Sequence, residues 1–440
     1  MNNIRRQCIL SWQIPLIGFW LTFFLGFGFS YANQDTRLEV QFVGLAVFTI
    51  LVVIGSYYTI QAFRSFQRYR NKNYLKQAIA GLFCNLLIIL VIAISVSAIY
   101  ALNYPANTTK HSLEEFKPSS NASKLPIWID TDPACGQGLT DDVDDCWALM
   151  MALRSLELNI RGISTVFGNT KGETAFQTAR QLVQRFEITD QSNRTSPPIY
   201  EGSHFKGNSE WKSTQASEAI ASTLIREKIT LIALAPLTNI ATVIVNHPNL
   251  VKNIERIIMV GGRRPGSLFH PGQQWWFHFR DFNIAQDPLA AKIVLNSKIP
   301  LVLTPFELAT KVTITRSDLE QLAAGDEAAR WLVQASQAWM SFWEDKLHKK
   351  GFHPFDAIAV GYVTSPDLFN CEISPARIGF SIFLEPFGLG RDLEVAQNIK
   401  GSQVYYCSDV NQRFKDRLIE RLRGIKQSKN QFESSFKRFD

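Results

Sequence analysis

Six aspartates lie within sixteen residues of the 440-residue sequence, and no lysine or arginine stands between Lys124 and Arg154 to neutralise them. These aspartates are Asp130, Asp132, Asp141, Asp142, Asp144 and Asp145. Carboxylates this close repel one another unless some are protonated or a cation lies among them. Oxygen ligands of this kind are the ones that Ca²⁺ prefers. The cluster therefore indicates a calcium site, and the plain alternative is a solvated acidic loop with an aspartate capping the next helix.

The acidic cluster lies between two apolar segments. Residues 125–129 precede it and are typical of a buried strand, and residues 146–153 follow it and are typical of a helix. The first two aspartates would then lie at the carboxyl end of a strand. Open parallel α/β sheets bind ligands beyond the carboxyl ends of their strands, so a site is expected at this position.

Short apolar strands alternate with helical patterns from residue 125 to about residue 424. Further strands are predicted at 160–167, 229–235, 254–260 and 299–304, and helices at 174–186, 237–246, 287–295 and 317–343. This alternation predicts an α/β fold, a mostly parallel open sheet covered by helices on both faces.

Polar residues recur where the later strands end. Asn169 ends one strand, Thr238 stands where another strand runs into a helix, Asp281 and Asn283 precede a further helix, and Asp356 starts a late one. Each has an ordinary explanation as a turn residue or a helix cap. Their order and spacing together are much more specific than any one of them.

Together these motifs resemble those of the nucleoside hydrolase family, the inosine-uridine-preferring nucleoside N-ribohydrolases. The resemblance covers residues 125–424. It rests on Asp-Thr-Asp at 130–132, Asp-Asp at 144–145, Pro-Leu-Thr-Asn at 236–239, the late aspartate at 356 and the ending at 404–410, which a helix follows at 411–423.

The resemblance implies a calcium-dependent hydrolase that cleaves the N-glycosidic bond of ribonucleosides to free base and ribose. The calcium ligands that it implies are Asp132, Asp145, the main-chain carbonyl of Thr238, and Asp356. The substrate-binding residues that it implies for the ribose hydroxyls are Asp144, Asn169 and Asn283, with Asp281 where the family usually has glutamate.

The residue types are compatible with this chemistry. Cleavage of an N-glycosidic bond needs an activated water and an environment that tolerates positive charge developing on the sugar. Ca²⁺ acidifies a bound water, and the neighbouring Asp132 is the predicted catalytic base. Two ribose hydroxyls at the same ion would make it selective for a cis-diol.

Two features depart from the family pattern. The loop between Asp132 and Asp144 is longer than in the short family form, which leaves the register of 141–142 against 144–145 open. The latter pair is preferred because the apolar helix follows it directly. Phe355 stands before the late aspartate, where the family often has histidine. His353 lies two residues earlier, and the histidines and aromatic residues at 270–278 could supply stacking and a proton, or could simply pack on the surface.

Three apolar windows without a charged residue precede this domain, at residues 9–31, 40–63 and 79–102. Each is at least as long as the ~20 residues that span a ~30 Å hydrocarbon core, so three transmembrane helices are predicted. Basic residues precede the first window and separate the second from the third. The N-terminus is therefore predicted in the cytoplasm and the domain after the third window on the extracytoplasmic side, periplasmic or extracellular.

The predicted organisation is a membrane domain at 1–102, a polar linker at 103–124, a hydrolase-like domain at 125–424 and a polar tail at 425–440. Residues 1–102 carry eight Lys and Arg against two Asp and Glu, so they hold six of the seven net positive charges. The basic balance thus reflects membrane topology and does not indicate a nucleic-acid partner.

Four of the six cysteines fall in the predicted exported domain, where oxidation could pair them. They are Cys135, Cys146, Cys371 and Cys407. Four cysteines allow three pairings, and their spacing does not choose among these. Cys146 lies on the apolar face of a predicted helix and is more typical of a small core residue than of a bridge.

The sequence as a whole predicts a membrane-anchored, calcium-dependent nucleosidase that acts on nucleosides or related N-ribosyl compounds outside the cytoplasm, for nucleoside salvage. The alternative is a non-catalytic nucleoside-binding or sensing protein on the same fold, which Phe355 and the enlarged loop favour. Assembly into an oligomer is left open.

Overall fold

The structure is a computed structural model that describes residues 124–136, 142–185, 196–206, 210–264, 267, 281–379 and 392–424, with scattered positions between Tyr57 and Phe83. The first apolar window lies outside these residues, and the other two are described only at scattered positions, all of them helical. Within the described part of the chain, no helix is long and apolar enough to cross a membrane. The three spans therefore remain a prediction, as do the linker and the tail, which lie almost entirely outside the described residues.

By its contacts the chain divides into two compact units, and the second comprises residues 107–379 and 391–440. In that unit one sheet is formed by β1 (Leu125–Thr131), β2 (Leu158–Thr165), β3 (Ile199–Glu201), β4 (Ile229–Ala233), β5 (Ile254–Met259), β6 (Leu301–Leu303), β7 (Phe369–Ile378), β8 (Leu393–Val395) and β9 (Ser402–Val410). The strand order is β3-β2-β1-β4-β5-β6-β9-β7-β8. The first seven strands in that order are parallel, and β7 runs antiparallel to both β9 and β8. The prediction of a mostly parallel open sheet is confirmed, and the antiparallel edge is an addition to it.

One or more helices separate each strand from the next between β1 and β7, and a last helix follows β9. They are α1 (Asp144–Leu153), α2 (Gly172–Arg185), α3 (Gln215–Arg226), α4 (Thr238–Asn246), α5 (Phe282–Gln286), α6 (Pro288–Asn296), α7 (Phe306–Ala309), α8 (Arg316–Ala323), α9 (Glu327–Ser341), α10 (Phe355–Thr364) and α11 (Arg413–Arg423). Short 3-10 turns at Pro248–Asn253 and Pro366–Leu368 and a π turn at Phe342–Lys346 complete the helical structure.

Two hydrophobic cores lie on opposite faces of the sheet. Successive side chains of a strand point to opposite faces, and in β4 Leu231 and Ala233 pack in one core while Ile232 packs in the other. The core that holds Ile232 includes α1, α10 and α11, and the second includes α3, α4 and α6. All residues of β4 are buried, as expected for a parallel strand covered on both faces.

The prediction of a single helix at 317–343 is wrong, because the chain forms two helices there, α8 and α9. Asp326 caps the start of α9, with its side chain accepting a hydrogen bond from the Ala329 amide at 2.9 Å. Gly325 lies at the break, and a Cβ there would stand 2.4 Å from the Arg423 carbonyl oxygen. The close approach of the end of α11 therefore requires glycine at this position.

Two disulfides join cysteines of this unit, Cys135 to Cys146 and Cys371 to Cys407. The interpretation of Cys146 as an unbridged core residue is wrong, although the residue is fully buried at the sheet face. The second bridge joins β7 and β9, where its two cysteines are register partners.

Candidate active site

The first part of the site is built by the carboxyl end of β1, which lies between β2 and β4 in the sheet. Asp130 belongs to β1 and Asp132 follows it, and both are buried. The Oδ1 atom of Asp130 accepts hydrogen bonds from the hydroxyl of Ser164 in β2 and from Nδ2 of Asn239 in α4, the latter at 2.8 Å. These bonds fix the end of β1 to the elements on either side of it.

The second part of the site is the start of α1. Asp145 Oδ1 accepts hydrogen bonds from the Asp132 amide at 3.0 Å and from the Thr131 hydroxyl. The preceding Asp142 accepts the Asp144 amide through Oδ1 at 2.9 Å. The Asp-Asp pair that meets the end of β1 is thus 144–145, whereas residue 141 lies outside the described residues. A helix start suits carboxylates, since the helix dipole places partial positive charge there.

Asn169, in the turn after β2, contacts both halves of this arrangement. Its amide donates to Asp132 Oδ2 at 2.7 Å, and its Nδ2 donates to Asp145 Oδ2 at 3.1 Å. Gly168 permits the approach, because a Cβ on it would stand 1.7 Å from Asp132 Oδ2. The structure therefore brings Asn169 together with two of the predicted calcium ligands.

Asp356 joins the same cluster from a distant part of the sequence. It lies in the first turn of α10, which packs against α1, and it is buried. The amide of Phe355, the residue before it, donates a hydrogen bond to Asp144. Asp145 and Asp144 are the largest sources of charge repulsion on the carboxyl group of Asp356. The early and late aspartates therefore converge, as the proposed site requires.

Burial is the main reason that the pKa values of Asp132, Asp144, Asp145 and Asp356 lie above the usual aspartate range. At Asp132, Asp144 and Asp356 repulsion from neighbouring carboxylates raises the pKa further. Burial likewise raises the pKa of Asp142 to about 7. A cation among these carboxylates would favour their ionised forms and so lower their pKa values.

The donor set fits a hard divalent cation. Asp132 Oδ1 and Asp144 Oδ1 are buried and have no hydrogen-bond partner, although buried polar atoms are rarely left unpaired. Several carboxylates with free oxygens are the ligands that Ca²⁺ takes. Among the described residues no group of three or more His, Cys, Asp or Glu is arranged as a ready metal site. The fit therefore rests on the type, charge and unpaired oxygens of the residues.

The contacts of Thr238 are those of a residue at the start of a helix. Its hydroxyl donates to Asp287 Oδ2 at 2.7 Å, and its carbonyl accepts the Thr242 hydroxyl at 2.8 Å. Neither contact joins it to the aspartate cluster, so its role as a ligand stays a prediction. Just after β4, the carbonyl of Leu234 accepts a hydrogen bond from Nδ2 of Asn283, a predicted substrate-binding residue, at 2.8 Å.

Asp281 and Asn283 lie at the carboxyl ends of the next strands along the sheet. Besides its bond to the carbonyl of Leu234, the Asn283 amide donates to the Val260 carbonyl, after β5, at 3.3 Å. Asp281 caps α5 and accepts the Gly262 amide at 2.5 Å. Burial raises the pKa of Asp281 to about 7. Both residues therefore border the same edge of the sheet as the aspartate cluster.

His353 is held away from acid catalysis by its own contacts. Its Nδ1 lies 2.9 Å from the Val312 carbonyl, which requires the hydrogen on that nitrogen. Burial lowers the pKa of the imidazole, which is therefore neutral at pH 7. The ring packs against Trp343 and Phe355, at centroid distances of 5.1 and 6.0 Å. The histidines and aromatic residues at 270–278 lie outside the described residues.

Sequence reasoning missed Asn239, which ties three neighbouring segments together. Besides Asp130, its Nδ2 donates to the Thr165 carbonyl at 2.9 Å, and its Oδ1 accepts the Ser203 amide at 2.9 Å. A Cβ on Gly202 would stand 2.4 Å from its amide nitrogen. Its place in the Pro-Leu-Thr-Asn motif was a signal for this role, but in that motif a function was predicted only for Thr238.

Comparison with known proteins identifies the family to which this fold belongs. The family model of the inosine-uridine preferring nucleoside hydrolases matches residues 127–405, and the chain belongs to this family. The predicted class of enzyme, an N-ribosyl hydrolase, is confirmed by this membership.

Two bacterial relatives illustrate the likeness in sequence. The non-specific ribonucleoside hydrolase RihC of Klebsiella pneumoniae is 27% identical over 268 residues, which cover 57% of this chain and 82% of that protein. The pyrimidine-specific ribonucleoside hydrolase RihA of an Enterobacter species is 27% identical over 276 residues, covering 56% and 81%.

Solved structures show the same fold. The plant nucleoside hydrolase PpNRh1 superposes with a TM-score of 0.57 at 21% identity, covering 69% of this chain and all of that chain (100%). The purine-preferring ribonucleoside hydrolase of Gardnerella vaginalis superposes with a TM-score of 0.56 at 19% identity, covering 68% and 98%.

Proposed function

We propose that this chain is a calcium-dependent hydrolase that cleaves the N-glycosidic bond of ribonucleosides to free base and ribose. The observation that carries the proposal is the convergence of Asp132, Asp145 and Asp356 at one edge of the sheet, with Asn169 bonded to the first two. Membership of the nucleoside hydrolase family supports the type of reaction.

The cation would be held by Asp132, Asp145, Asp356 and the main-chain carbonyl of Thr238. A bound calcium ion supplies Lewis acidity that lowers the pKa of a water in the site. Asp132 Oδ1, which has no hydrogen-bond partner, takes a proton from the water that attacks the anomeric carbon of the ribose. The bond from that carbon to the base nitrogen breaks, and its electron pair leaves with the base.

The ribose is held by Asp144, Asn169, Asp281 and Asn283. Asp144 has an unpaired buried oxygen that can accept a hydrogen bond from a sugar hydroxyl. The surrounding carboxylates favour the positive charge that develops on the sugar as the bond breaks. Because these residues contact only the sugar, the base is left to be recognised by other parts of the chain.

The leaving base needs a proton from elsewhere, since Phe355 has none to give and the imidazole of His353 is neutral with its Nδ1 hydrogen engaged. We expect nucleosides whose bases leave readily to be the better substrates. The same two residues favour the second candidate, a protein that binds nucleosides without cleaving them.

Release of free ribose from a panel of purine and pyrimidine nucleosides separates the two candidates. The full-length protein is assayed with calcium and after treatment with a chelator, and Asp132→Asn is compared with Asp367→Asn. The latter makes the same chemical change at an exposed residue, whose side chain is 64% exposed in an ion pair with Arg417. Calcium-dependent ribose release that Asp132→Asn abolishes and Asp367→Asn retains supports the hydrolase. Nucleoside binding without ribose release in any condition supports the binding protein.

The membrane-anchored, extracytoplasmic location is also part of the proposal. The three charge-free apolar windows and the basic residues around them support it. The two disulfides add support, since such bridges persist mainly in oxidising compartments. Carbonate extraction of membranes tests the anchoring, and protease treatment of cells whose outer layers are opened while the cytoplasmic membrane stays intact tests the location. Protein that washes off the membrane, or a hydrolase domain that is protected in such cells, would contradict this proposal.

A further inference from the structure

The Cys135–Cys146 disulfide joins two positions that lie close in sequence to Asp132 and Asp145. Cys135 lies three residues after Asp132, Cys146 directly follows Asp145, and the bridge joins positions 11 residues apart in the sequence. Both cysteines are buried. The bridge therefore links the loop that leaves β1 with the start of α1, the two segments that carry the first half of the proposed cation site.

Asp132 is anchored by the sheet on only one side. Thr131, before it, is the last residue of β1, whereas the residues after it belong to the loop that leads to α1. The hydrogen bonds that draw this loop toward α1 end on the Asp145 carboxylate, through the Thr131 hydroxyl and the Asp132 amide. Both bonds end on Oδ1 of Asp145, and the carboxylate of Asp145 is also a proposed ligand of the cation. The disulfide is a link between the two segments that needs no carboxylate oxygen.

Repulsion acts against this arrangement. The carboxyl groups of Asp132 and Asp145 both accept hydrogen bonds from Asn169, so they lie close together and repel each other when both are ionised. Apart from the hydrogen bonds at Asp132, the connection between β1 and α1 leaves Asp132 room to move away from Asp145 and relieve this repulsion. A covalent bridge that closes the loop removes much of that freedom before any ligand binds.

We propose that the Cys135–Cys146 disulfide is a positioning element of the cation site, which holds Asp132 beside Asp145 and so makes the oxidised chain bind a divalent cation more tightly than the dithiol chain. The proposal rests on the proposed function. An external dithiol converts one form to the other: its two thiols give up two electrons and two protons and become a disulfide, and Cys135 and Cys146 become thiols. The chain would then be fully competent only in an oxidising compartment.

The second disulfide offers a matched control. Cys371 and Cys407 join two neighbouring strands toward the antiparallel edge of the sheet, and neither is within ten residues of a proposed cation ligand in sequence. Removing this bridge takes away a covalent link of the same kind without touching the loop that carries Asp132.

Calcium binding is measured by titration calorimetry on the full-length protein, in detergent and free of reductant. The wild type is compared with Cys135→Ala/Cys146→Ala and with Cys371→Ala/Cys407→Ala. Outer residues that orient metal ligands change metal affinity roughly 10–100-fold, so we expect a rise of this size in the calcium Kd of the first variant. The second variant should stay within about threefold of the wild type, on the same scale. Saturating calcium should restore ribose release by the first variant to within about twofold, because the bridge positions a ligand and takes no part in the reaction.

Circular dichroism establishes that each variant is folded. Should Cys135→Ala/Cys146→Ala fail to fold, the comparison is made on folded Cys371→Ala/Cys407→Ala before and after reduction by dithiothreitol, so that Cys135–Cys146 is the bridge that is broken. Equal calcium Kd values with and without the bridge, while the wild type binds calcium and releases ribose, overturn the positioning role alone. Loss of ribose release that saturating calcium does not restore also overturns it. A wild type that neither binds calcium nor releases ribose overturns both this inference and the proposed function.

Discussion

Gly168 is the position where a single methyl group tests the placement of the proposed base. Its Cβ would stand 1.7 Å from Asp132 Oδ2 and 3.0 Å from Pro236 Cδ. Gly168→Ala therefore forces the carboxylate oxygen to move by roughly 1.3 Å to reach a tolerable contact, and the same oxygen accepts the Asn169 amide. A misplacement of about 1 Å at a reacting group can cost on the order of a hundredfold in rate. We expect kcat for ribose release to fall by about that factor, with a loss of stability of about 1–3 kcal/mol from the overpacking.

The matched control is Gly325→Ala, whose Cβ would stand 2.4 Å from the Arg423 carbonyl oxygen at the break between α8 and α9. Stability is followed by thermal unfolding, and kcat is measured at saturating nucleoside and calcium. The control should lose stability without a comparable loss of kcat. If Gly168→Ala keeps kcat within about threefold of the wild type while its unfolding temperature falls as in the control, the reasoning that places the reacting water beside Asp132 is refuted.

Three further predictions concern charge. Asp356→Asn relieves repulsion with Asp145 and Asp144. In chelator the variant should therefore unfold at a higher temperature than the wild type, while its calcium Kd should rise at least about tenfold. A lower unfolding temperature of the variant in chelator would contradict the repulsion. Burial raises the pKa of Asp281 from 3.8 to about 7, so the folded state binds the proton more tightly and the stability that this provides at pH 4 is lost as pH rises to 7. This loss amounts to at most about 4 kcal/mol. Denaturant titrations in chelator at pH 4 to 8 should show a smaller fall in the free energy of unfolding for Asp281→Asn than for the wild type, and equal slopes would refute it. His353→Phe should leave the pH profile of kcat unchanged between pH 7 and 8, because burial lowers the pKa of the imidazole below its usual value and its Nδ1 is bonded to the Val312 carbonyl. A lost limb in that profile would make His353 a general acid.

The parallel sheet and the first half of the site could be predicted because their signals are local. An apolar run followed by an Asp-X-Asp motif predicts both the strand β1 and the place where it ends. The bounds of β5, 254–259, likewise fall within one residue of the predicted ones. The convergence of Asp356 with Asp145 could be expected only from the resemblance to the family, because the two residues are more than 200 positions apart. The packing of α10 against α1 brings them together.

The features that escaped prediction depend on contacts between distant segments. The break between α8 and α9 is fixed by the approach of α11 to Gly325, although Gly325 and the capping Asp326 also gave a local signal for it. The pairing of Cys135 with Cys146 depends on the approach of the segment after β1 to the start of α1. The apolar residues around Cys146 predicted an unbridged core residue instead. The contacts of Thr238 depend on where Asp287 comes to lie, 49 residues further along the chain.

The energetics of the cluster bear on the choice between a hydrolase and a binding protein. Burying several carboxylates beside one another destabilises a fold, and isosteric neutral residues would relieve that cost. The helix start at α1 and the amides of Asp132, Asn169 and Phe355 offset part of it. Asp132 keeps one buried oxygen unpaired beside a second one that Asn169 holds. A cation ligand and a catalytic base both need such an oxygen, so this geometry is compatible with either candidate. The choice between them therefore depends on the release of ribose, which needs a proton for the leaving base that Phe355 does not supply.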